Sequence, residues 1–250
     1  MLAQEARWFA RQLTGLTVEQ MSPICDLGSA SEDFRCRQQP WIDQQVFGPL
    51  RARGCQISHV DLAPGPGVDL AGDLLDARFI ERLRELNFKA VICANLLEHV
   101  ADPQRVATAI TQIVPVGGRL LISCPRRFPY HPDPIDTLLR PDCDELAQLF
   151  AGTRLLDGAI ISAGTLAGYF ARRMAASPGQ LVGKLIGAST AAANAANGPA
   201  GDGQSTSPWR FVPWLLRRLE VTCIVLEKTA SPSPTVHHRQ PGAAAGACPT

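Results

Sequence analysis

The feature that most constrains the fold is the stretch of residues 89–125, KAVICANLLEHVADPQRVATAITQIVPVGGRLLISCP. A short apolar run, a polar cluster that contains Asn95, a helical pattern, a Gly117-Gly118 turn and a second apolar run follow one another. This order predicts a strand, a turn, a helix and a second strand, the layout of a βαβ crossover. Because ligands of open α/β sheets bind outside the carboxyl ends of the strands, the polar cluster marks a candidate site.

Strands and helices are predicted to alternate along most of the chain. Apolar runs that end in polar or turn residues predict strands within residues 22–28, 55–63, 68–76, 90–93, 120–123, 152–162 and 220–228. Helical spacing lies between them, as in residues 42–50, with Ile42, Val46 and Leu50 on one face, and in residues 77–88, where Phe79, Ile80 and Leu83 fall on one face. The sequence therefore predicts one doubly wound α/β domain with helices on both faces of a mostly parallel sheet.

Composition shifts divide the chain of 250 residues. We expect the domain to span residues 1–230, with an N-terminal helix within 1–20 and a flexible insertion rich in Ala, Gly and Ser at 177–206. The tail, 231–250, is expected to be disordered. The aromatic segment 207–219 is expected to pack against the sheet, with peripheral membrane contact as the alternative.

The charge balance and the apolar segments limit the possible partners. A formal net charge of +1 produces no field that favours nucleic acid or an anionic membrane. No secretory signal begins the chain, and no window of about 20 apolar residues could span a membrane. A cytoplasmic protein is therefore expected, and nothing in the sequence indicates its oligomeric state. The 8 cysteines include no CxxC pair, which predicts reduced core residues rather than disulfides or zinc ligands.

Polar residues at the predicted strand ends indicate a nucleoside ligand. Asp61 closes the second strand, where a carboxylate can accept hydrogen bonds from both ribose hydroxyls. Asp73 could accept from an adenine amine, and Asn95 could hold a zwitterionic amino-acid end. The alternatives are helix caps for Asp26 and Asp61 and a turn residue for Asn95.

The first bend of the predicted sheet lacks the dinucleotide fingerprint G-x-G-x-x-G. Gly28 is followed by Ser29, Ala30 and Ser31, and Glu32 lies at the predicted helix start. A pyrophosphate needs glycines and a helix N-terminus without anions, so a nucleoside ligand without phosphate fits better. This pattern argues against a nicotinamide-dependent oxidoreductase.

Four motifs together resemble the class I S-adenosylmethionine-dependent methyltransferases. They are ICDLGSA, VDLAPGPGVDLAGDLLD, ANLLEHVADP and VPVGGRLLISCP. The resemblance implies a Rossmann-like methyltransferase domain whose sheet has seven strands, with residues 221–226 supplying an antiparallel last strand. It implies S-adenosylmethionine as the cofactor, with Asp26 and Gly28 at the methionine end, Asp61 at the ribose, Asp73 at adenine and Asn95 at the methionine moiety.

The proline-rich loop that follows the fifth predicted strand could shape an acceptor pocket. His131 is the candidate general base, because its pKa lies near neutrality. The candidate substrate-binding residues of the same loop are Asp133, Asp136 and Arg140. A loop held by prolines, without chemistry, is the alternative. A metal is not expected, because the loop lacks a further ligand cluster, and Glu98 and His99 are expected to begin a helix and pack locally.

The sequence thus predicts an S-adenosylmethionine-dependent methyltransferase acting on a small-molecule or glycan-linked acceptor. Its alternative is a catalytically inactive cofactor-binding module of the same fold that serves as a partner or regulatory protein.

Overall fold

The computed structural model describes residues 1–131, 135–168, 171 and 216–230. These residues contain a seven-stranded sheet in the order β3-β2-β1-β4-β5-β7-β6. The strands are β1 (Ile24–Leu27), β2 (Ile57–Asp61), β3 (Leu70–Ala71), β4 (Ala90–Ala94), β5 (Arg119–Arg127), β6 (Thr153–Thr165) and β7 (Arg218–Lys228). The first five pair in parallel, and β7 runs antiparallel to β5 and β6. The predicted mostly parallel sheet with an antiparallel last strand is confirmed.

Helices cover both faces of this sheet. They are α1 (Ala3–Thr14), α2 (Val18–Met21), α3 (Gly48–Ala52), α4 (Ala77–Glu85), α5 (Pro103–Ile113) and α6 (Cys143–Gln148). Aspartates begin three of them, because the side chains of Asp76, Asp102 and Asp142 each accept a hydrogen bond from a backbone N–H of the first turn. These caps start α4, α5 and α6 where the chain leaves β3, β4 and the loop after β5.

Two apolar clusters hold the helices on the sheet. One joins α4, α5 and α6 to one face and contains the buried Phe79, Leu83 and Ile110. The other joins α1 and residues 34–52 to the opposite face and contains the buried Phe9 and Phe47. Each such side chain contributes about 1.5–3 kcal/mol on leaving water. The predicted amphipathic N-terminal helix is thus part of the core.

Two sequence expectations differ from the structure. The helix predicted around residues 42–50 is a π-helical turn, Asp43–Phe47, followed by α3. Gly48 permits this wider turn, because a Cβ there would lie 3.0 Å from the Asp43 carbonyl oxygen. Among the described cysteines, Cys36 is exposed and Cys143 is half-buried, so they are not core residues.

The strand order places a crevice between β1 and β4, where the connections diverge to opposite sides of the sheet. Ligands bind at the carboxyl ends of strands at such a switch point. The predicted insertion at 177–206, the tail at 231–250 and most of the segment 207–219 lie outside the described residues. Among the described helices, none is both long enough and apolar enough to cross a membrane.

Candidate functional site

A cavity of about 530 Å³ opens at the carboxyl ends of β1, β4 and β5. The loops after these strands, the first residues of the chain and the segment 34–47 form its wall. Four of the predicted site residues line it: Asp26, Gly28, Asn95 and His131. The switch point of the sheet and these four predicted residues therefore coincide.

Gly28 makes the bend by which the chain leaves β1. Its φ is +69°, which L side chains rarely adopt. A Cβ at this position would lie 3.2 Å from Cδ1 of Leu96, on the loop after β4. Glycine is therefore required both by the turn and by the close approach of the two loops.

Two buried or half-buried side chains hold the loop after β1 against the loop after β2. The Arg35 guanidinium donates to the carbonyl oxygens of Ser29 and Ala30 at 3.0 and 2.6 Å and to that of Gly67 at 2.6 Å. The Asp61 carboxylate accepts from the Ala30 N–H at 2.8 Å. These bonds set the shape of the first loop, and only one oxygen of Asp61 is used in them.

Asp26 has a partner on the neighbouring strand. The β1–β2 register places it opposite His59, and the two side chains are 2.8 Å apart, with the ring Nδ1 beside the Asp26 Oδ2. Asp26 is 5% exposed. The His59 ring also packs edge-on against Phe47. One carboxylate oxygen of Asp26 is thereby occupied on the inner side of the cavity.

Asn95 ends β4 with a φ of +52°, and its side chain connects the cavity to the N-terminal helix. Its Nδ2 donates to both carboxylate oxygens of Glu5, at 3.0 and 3.2 Å. Glu5 is fully buried and also accepts from the Leu2 N–H and from the Ser123 hydroxyl on β5. The Oδ1 of Asn95 is buried without a hydrogen-bond partner. This cavity wall therefore has an unused acceptor.

A short 3₁₀ turn, Leu97–His99, follows Asn95 and carries a buried carboxyl group. Glu98 is fully buried, and its Oε1 has no hydrogen-bond partner. Burial and, to a smaller extent, the nearby Glu5 carboxylate raise the pKa of Glu98 to about 8. The His99 Nε2 lies 3.6 Å from this Oε1. Glu98 and His99 both line the cavity.

His131, in the loop after β5, completes this part of the wall. Its Nδ1 lies 3.0 Å from the Pro129 carbonyl oxygen and 3.2 Å from the Asp136 Oδ2. Its ring packs edge-on against Phe128 and His99. Burial lowers the pKa of His131 below its ordinary value, so the ring is neutral at pH 7. The Pro129 carbonyl oxygen can only accept, so Nδ1 carries the hydrogen and Nε2 is the unprotonated nitrogen.

The Asp136 carboxylate organises the loop around His131. It forms two hydrogen bonds with Arg140, at 2.7 and 3.1 Å, and accepts from the backbone N–H of Leu138 and of His131. Burial alone would raise the pKa of Asp136, but Arg140 and these N–H groups hold it below its ordinary value. Asp136 and Arg140 lie behind the cavity wall and position His131.

The remaining predicted cofactor residues do not line the cavity. Asp73 is exposed and accepts from the Leu75 N–H at 2.8 Å, and neither Asp61 nor Asp73 lines the cavity. Asp133 lies outside the described residues. The amino-acid end of the predicted ligand site is thus in the cavity, whereas the ribose and adenine residues lie beyond its edge.

Sequence reasoning missed five side chains that build this site: Glu5, Arg35, His59, Glu98 and His99. The position of Glu98 and His99 just after a predicted strand was an available signal, because ligands of open α/β sheets bind outside the carboxyl ends of the strands. A second signal was the position of His59 two residues before Asp61, because residues i and i+2 of a strand lie on the same face. Nothing local indicated Glu5, whose partners are 90 and 118 residues away.

Comparison with solved structures defines the class of fold. A cyclase, SpnF, superimposes with a TM-score of 0.53 over 90% of this chain and 82% of its own, at 14% identity. A putative methyltransferase from Bacillus halodurans C-125 gives a TM-score of 0.50 over 88% of this chain and 97% of its own, at 12% identity. The chain has the class I methyltransferase fold, as its motifs predicted.

One curated relative matches part of the chain. It is a ubiquinone biosynthesis O-methyltransferase from Dechloromonas aromatica (strain RCB), 35% identical over 91 residues. The match covers 32% of this chain and 39% of that protein, so the similarity spans about two fifths of the relative's length. No protein-family model matches the chain.

Proposed function

We propose that this chain binds S-adenosylmethionine at the carboxyl ends of β1, β2 and β4 and transfers its methyl group to a small-molecule acceptor. The observation that carries the proposal is the cavity at the switch point of a class I methyltransferase fold, bordered by the Gly28 bend and by Asn95. The partial match to an O-methyltransferase supports the same activity.

The residues present fit the amino-acid end of this cofactor. The buried Asn95 Oδ1 lacks a donor, and an ammonium group would supply one. Gly28 has no side chain to separate its backbone from a ligand. We assign Asp26 to the same end of the cofactor. At the other end, the second carboxylate oxygen of Asp61 would accept from the ribose hydroxyls.

Asp73 is the proposed contact to adenine. Its Oδ1 accepts from the Leu75 N–H, which orients the side chain at the end of β3. The second carboxylate oxygen would accept from the exocyclic amine. Because Asp73 is exposed, we expect it to contribute less to affinity than Asp61.

The cofactor supplies an electrophilic methyl group on a sulfonium, and the chain positions the nucleophile in line with it. The neutral ring of His131, with Nδ1 engaged, could accept a proton from an acceptor hydroxyl through Nε2. Asp136, which is paired with Arg140, would hold that ring in place, and Asp133 would help to bind a polar acceptor. The acceptor is proposed to be a small molecule, either free or linked to a glycan.

The alternative is a module that binds the cofactor without transferring its methyl group. The neighbour SpnF is titled a cyclase, so the fold by itself does not define the reaction. Binding and methyl transfer therefore need separate measurements.

Isothermal titration calorimetry with S-adenosylmethionine, S-adenosylhomocysteine and NAD tests the binding step. We expect the two adenosyl compounds to bind and NAD to give no heat. In Asp61→Asn the amide oxygen can still accept from the Ala30 N–H, but the charge is lost. Since a hydrogen bond to a charged group is worth about 1.5–3 kcal/mol, affinity should fall roughly 10- to 100-fold.

Asp144→Asn, an exposed carboxylate on α6, is the matched control and should leave affinity unchanged. Absence of heat with both adenosyl compounds contradicts the proposal. Methyl transfer is then measured as S-adenosylhomocysteine formed with hydroxyl-bearing small molecules. Binding without any product across the acceptor set favours the inactive module.

A further inference from the structure

Three side chains from two separate loops converge at one end of the cavity. Glu98 and His99 follow β4, and His131 follows β5. One ligand atom from each lies within 4.8 Å of the others. The two loops are brought together because β4 and β5 are neighbouring parallel strands. An imidazole pair and a carboxylate therefore face the same volume.

The carboxylate of this group is not satisfied by the protein. Glu98 is fully buried, lines the cavity, and has an Oε1 without a hydrogen-bond partner. A buried polar atom without a partner costs about 1–3 kcal/mol. Such an atom, directed at a cavity, indicates that a donor or a cation belongs there.

Both imidazoles are oriented with one nitrogen free. The His99 Nδ1 lies 2.6 Å from the Ile135 carbonyl oxygen, which can only accept, so Nδ1 carries the hydrogen. Nε2 then presents its lone pair, 3.6 Å from the Glu98 Oε1. The Pro129 carbonyl oxygen accepts the Nδ1 hydrogen of His131 in the same way, and the Asp136 carboxylate lies 3.2 Å from that nitrogen. Histidines that bind metals are oriented by such partners behind the ring.

We propose that Glu98, His99 and His131 form a site for one divalent cation of the borderline class, such as Zn²⁺ or Co²⁺. Two imidazoles and one carboxylate suit such ions, and three protein ligands leave a coordination position open to the cavity. Ligand atoms of a tetrahedral site lie about 3.4 Å apart when metal–ligand distances are about 2.1 Å. The His99 Nε2 and the Glu98 Oε1, 3.6 Å apart, are already near this spacing, and the ligand atom of His131 lies within 4.8 Å of both.

This assignment and the role of His131 as a base use the same Nε2 atom. A cation bound there would replace the base, so metal binding decides between the two roles. Binding of the cation does not depend on the proposed methyl transfer and is tested by itself.

The test is titration of the chelator-treated full chain with Co²⁺, followed by visible d–d absorption, and with Zn²⁺, followed by calorimetry. All proteins carry His237→Ala and His238→Ala, because this adjacent pair could bind metal independently. We expect one cation per chain, with a d–d spectrum of low coordination number and no sulfur-to-cobalt charge-transfer band from the exposed Cys36.

Glu98→Gln and His131→Ala should each weaken binding by more than about 100-fold, since even loss of a partner behind a ligand costs about 10- to 100-fold. Asp144→Asn, which changes an exposed carboxylate on α6, is the control and should keep wild-type affinity. Metal-free thermal unfolding of each variant verifies that the chain is folded. Absence of a d–d band, or unchanged affinity in both cluster variants, overturns the proposal.

Discussion

At the residue scale, the site depends on a few backbone positions and buried polar atoms. Gly28 and Asn95 both have positive φ, and they stand at the ends of the two strands that border the switch point. Their conformations turn the chain sharply away from the sheet and bring Leu96 against the first loop. Substitutions here should therefore change ligand binding more than their size suggests.

Gly28→Ala should destabilise the fold and abolish cofactor binding. The left-handed conformation costs a non-glycine residue about 1–2 kcal/mol, and the new Cβ would meet Leu96 at 3.2 Å. Gly54→Ala is the matched control, because Gly54 has a φ of +88° and nothing within 4 Å of its added Cβ. Urea unfolding should show a loss in both variants, with the larger loss at position 28. Equal losses and intact binding would refute the role of the Leu96 contact.

Glu5→Ala should cost about 3 kcal/mol of unfolding free energy. Three donors, on the buried Leu2 and Ser123 and the half-buried Asn95, would lose their acceptor, and each such loss costs about 1–3 kcal/mol before any relaxation. Ser123→Ala removes one donor only and should cost about 1 kcal/mol. Chemical denaturation measures both. A loss below about 0.5 kcal/mol in Glu5→Ala would show that water replaces the carboxylate.

At the element scale, small residues set the distances between strands and helices. Gly72 directly follows β3 and lies against the ring of Phe79 on α4. A Cβ added at Gly72 would lie 2.5 Å from that ring. This contact sets the position of Asp73, the next residue along the chain. The short strand β3 and the proposed adenine contact thus depend on a glycine that no functional motif includes.

Gly72→Ala should therefore lower the unfolding free energy by about 1–3 kcal/mol, the usual cost of overpacking. Gly65→Ala, where nothing lies within 4 Å of the added Cβ, should stay within about 0.5 kcal/mol of wild type. Thermal unfolding monitored by circular dichroism compares the two. If Gly72→Ala were as stable as Gly65→Ala, Phe79 would have to move freely.

At the scale of the whole molecule, ligand binding should stabilise the fold. At a concentration 100 times its Kd, a ligand that binds only the native state adds about 2.7 kcal/mol. S-adenosylhomocysteine should raise the midpoint of thermal unfolding accordingly, and NAD at the same concentration should not. An equal shift with NAD would indicate nonspecific stabilisation and would contradict the proposed cofactor site.

The alternation of strands and helices was predictable because strand ends and hydrophobic periods are local signals, and the antiparallel last strand was implied by the resemblance to class I methyltransferases. Asn95 and His131 were identified in this way, since polar residues after buried strands meet at one edge. Contacts across the fold were not predictable. Glu5 contacts Asn95 from α1, which is distant in the sequence. Glu98 was interpreted as a local packing residue, since its place in the cavity depends on the loop after β5, which the local sequence does not indicate.

The N-terminal residues have a practical consequence for all of these experiments. Met1 and Leu2 belong to the cavity wall, and the Trp41 indole N–H donates to the Met1 carbonyl at 3.0 Å. An affinity tag fused in front of Met1 would begin at the cavity wall, and a polyhistidine tag there would bring further imidazoles to the cavity that Glu98 lines. Protein made for the binding assays should therefore carry a cleavable, histidine-free tag at the other end of the chain.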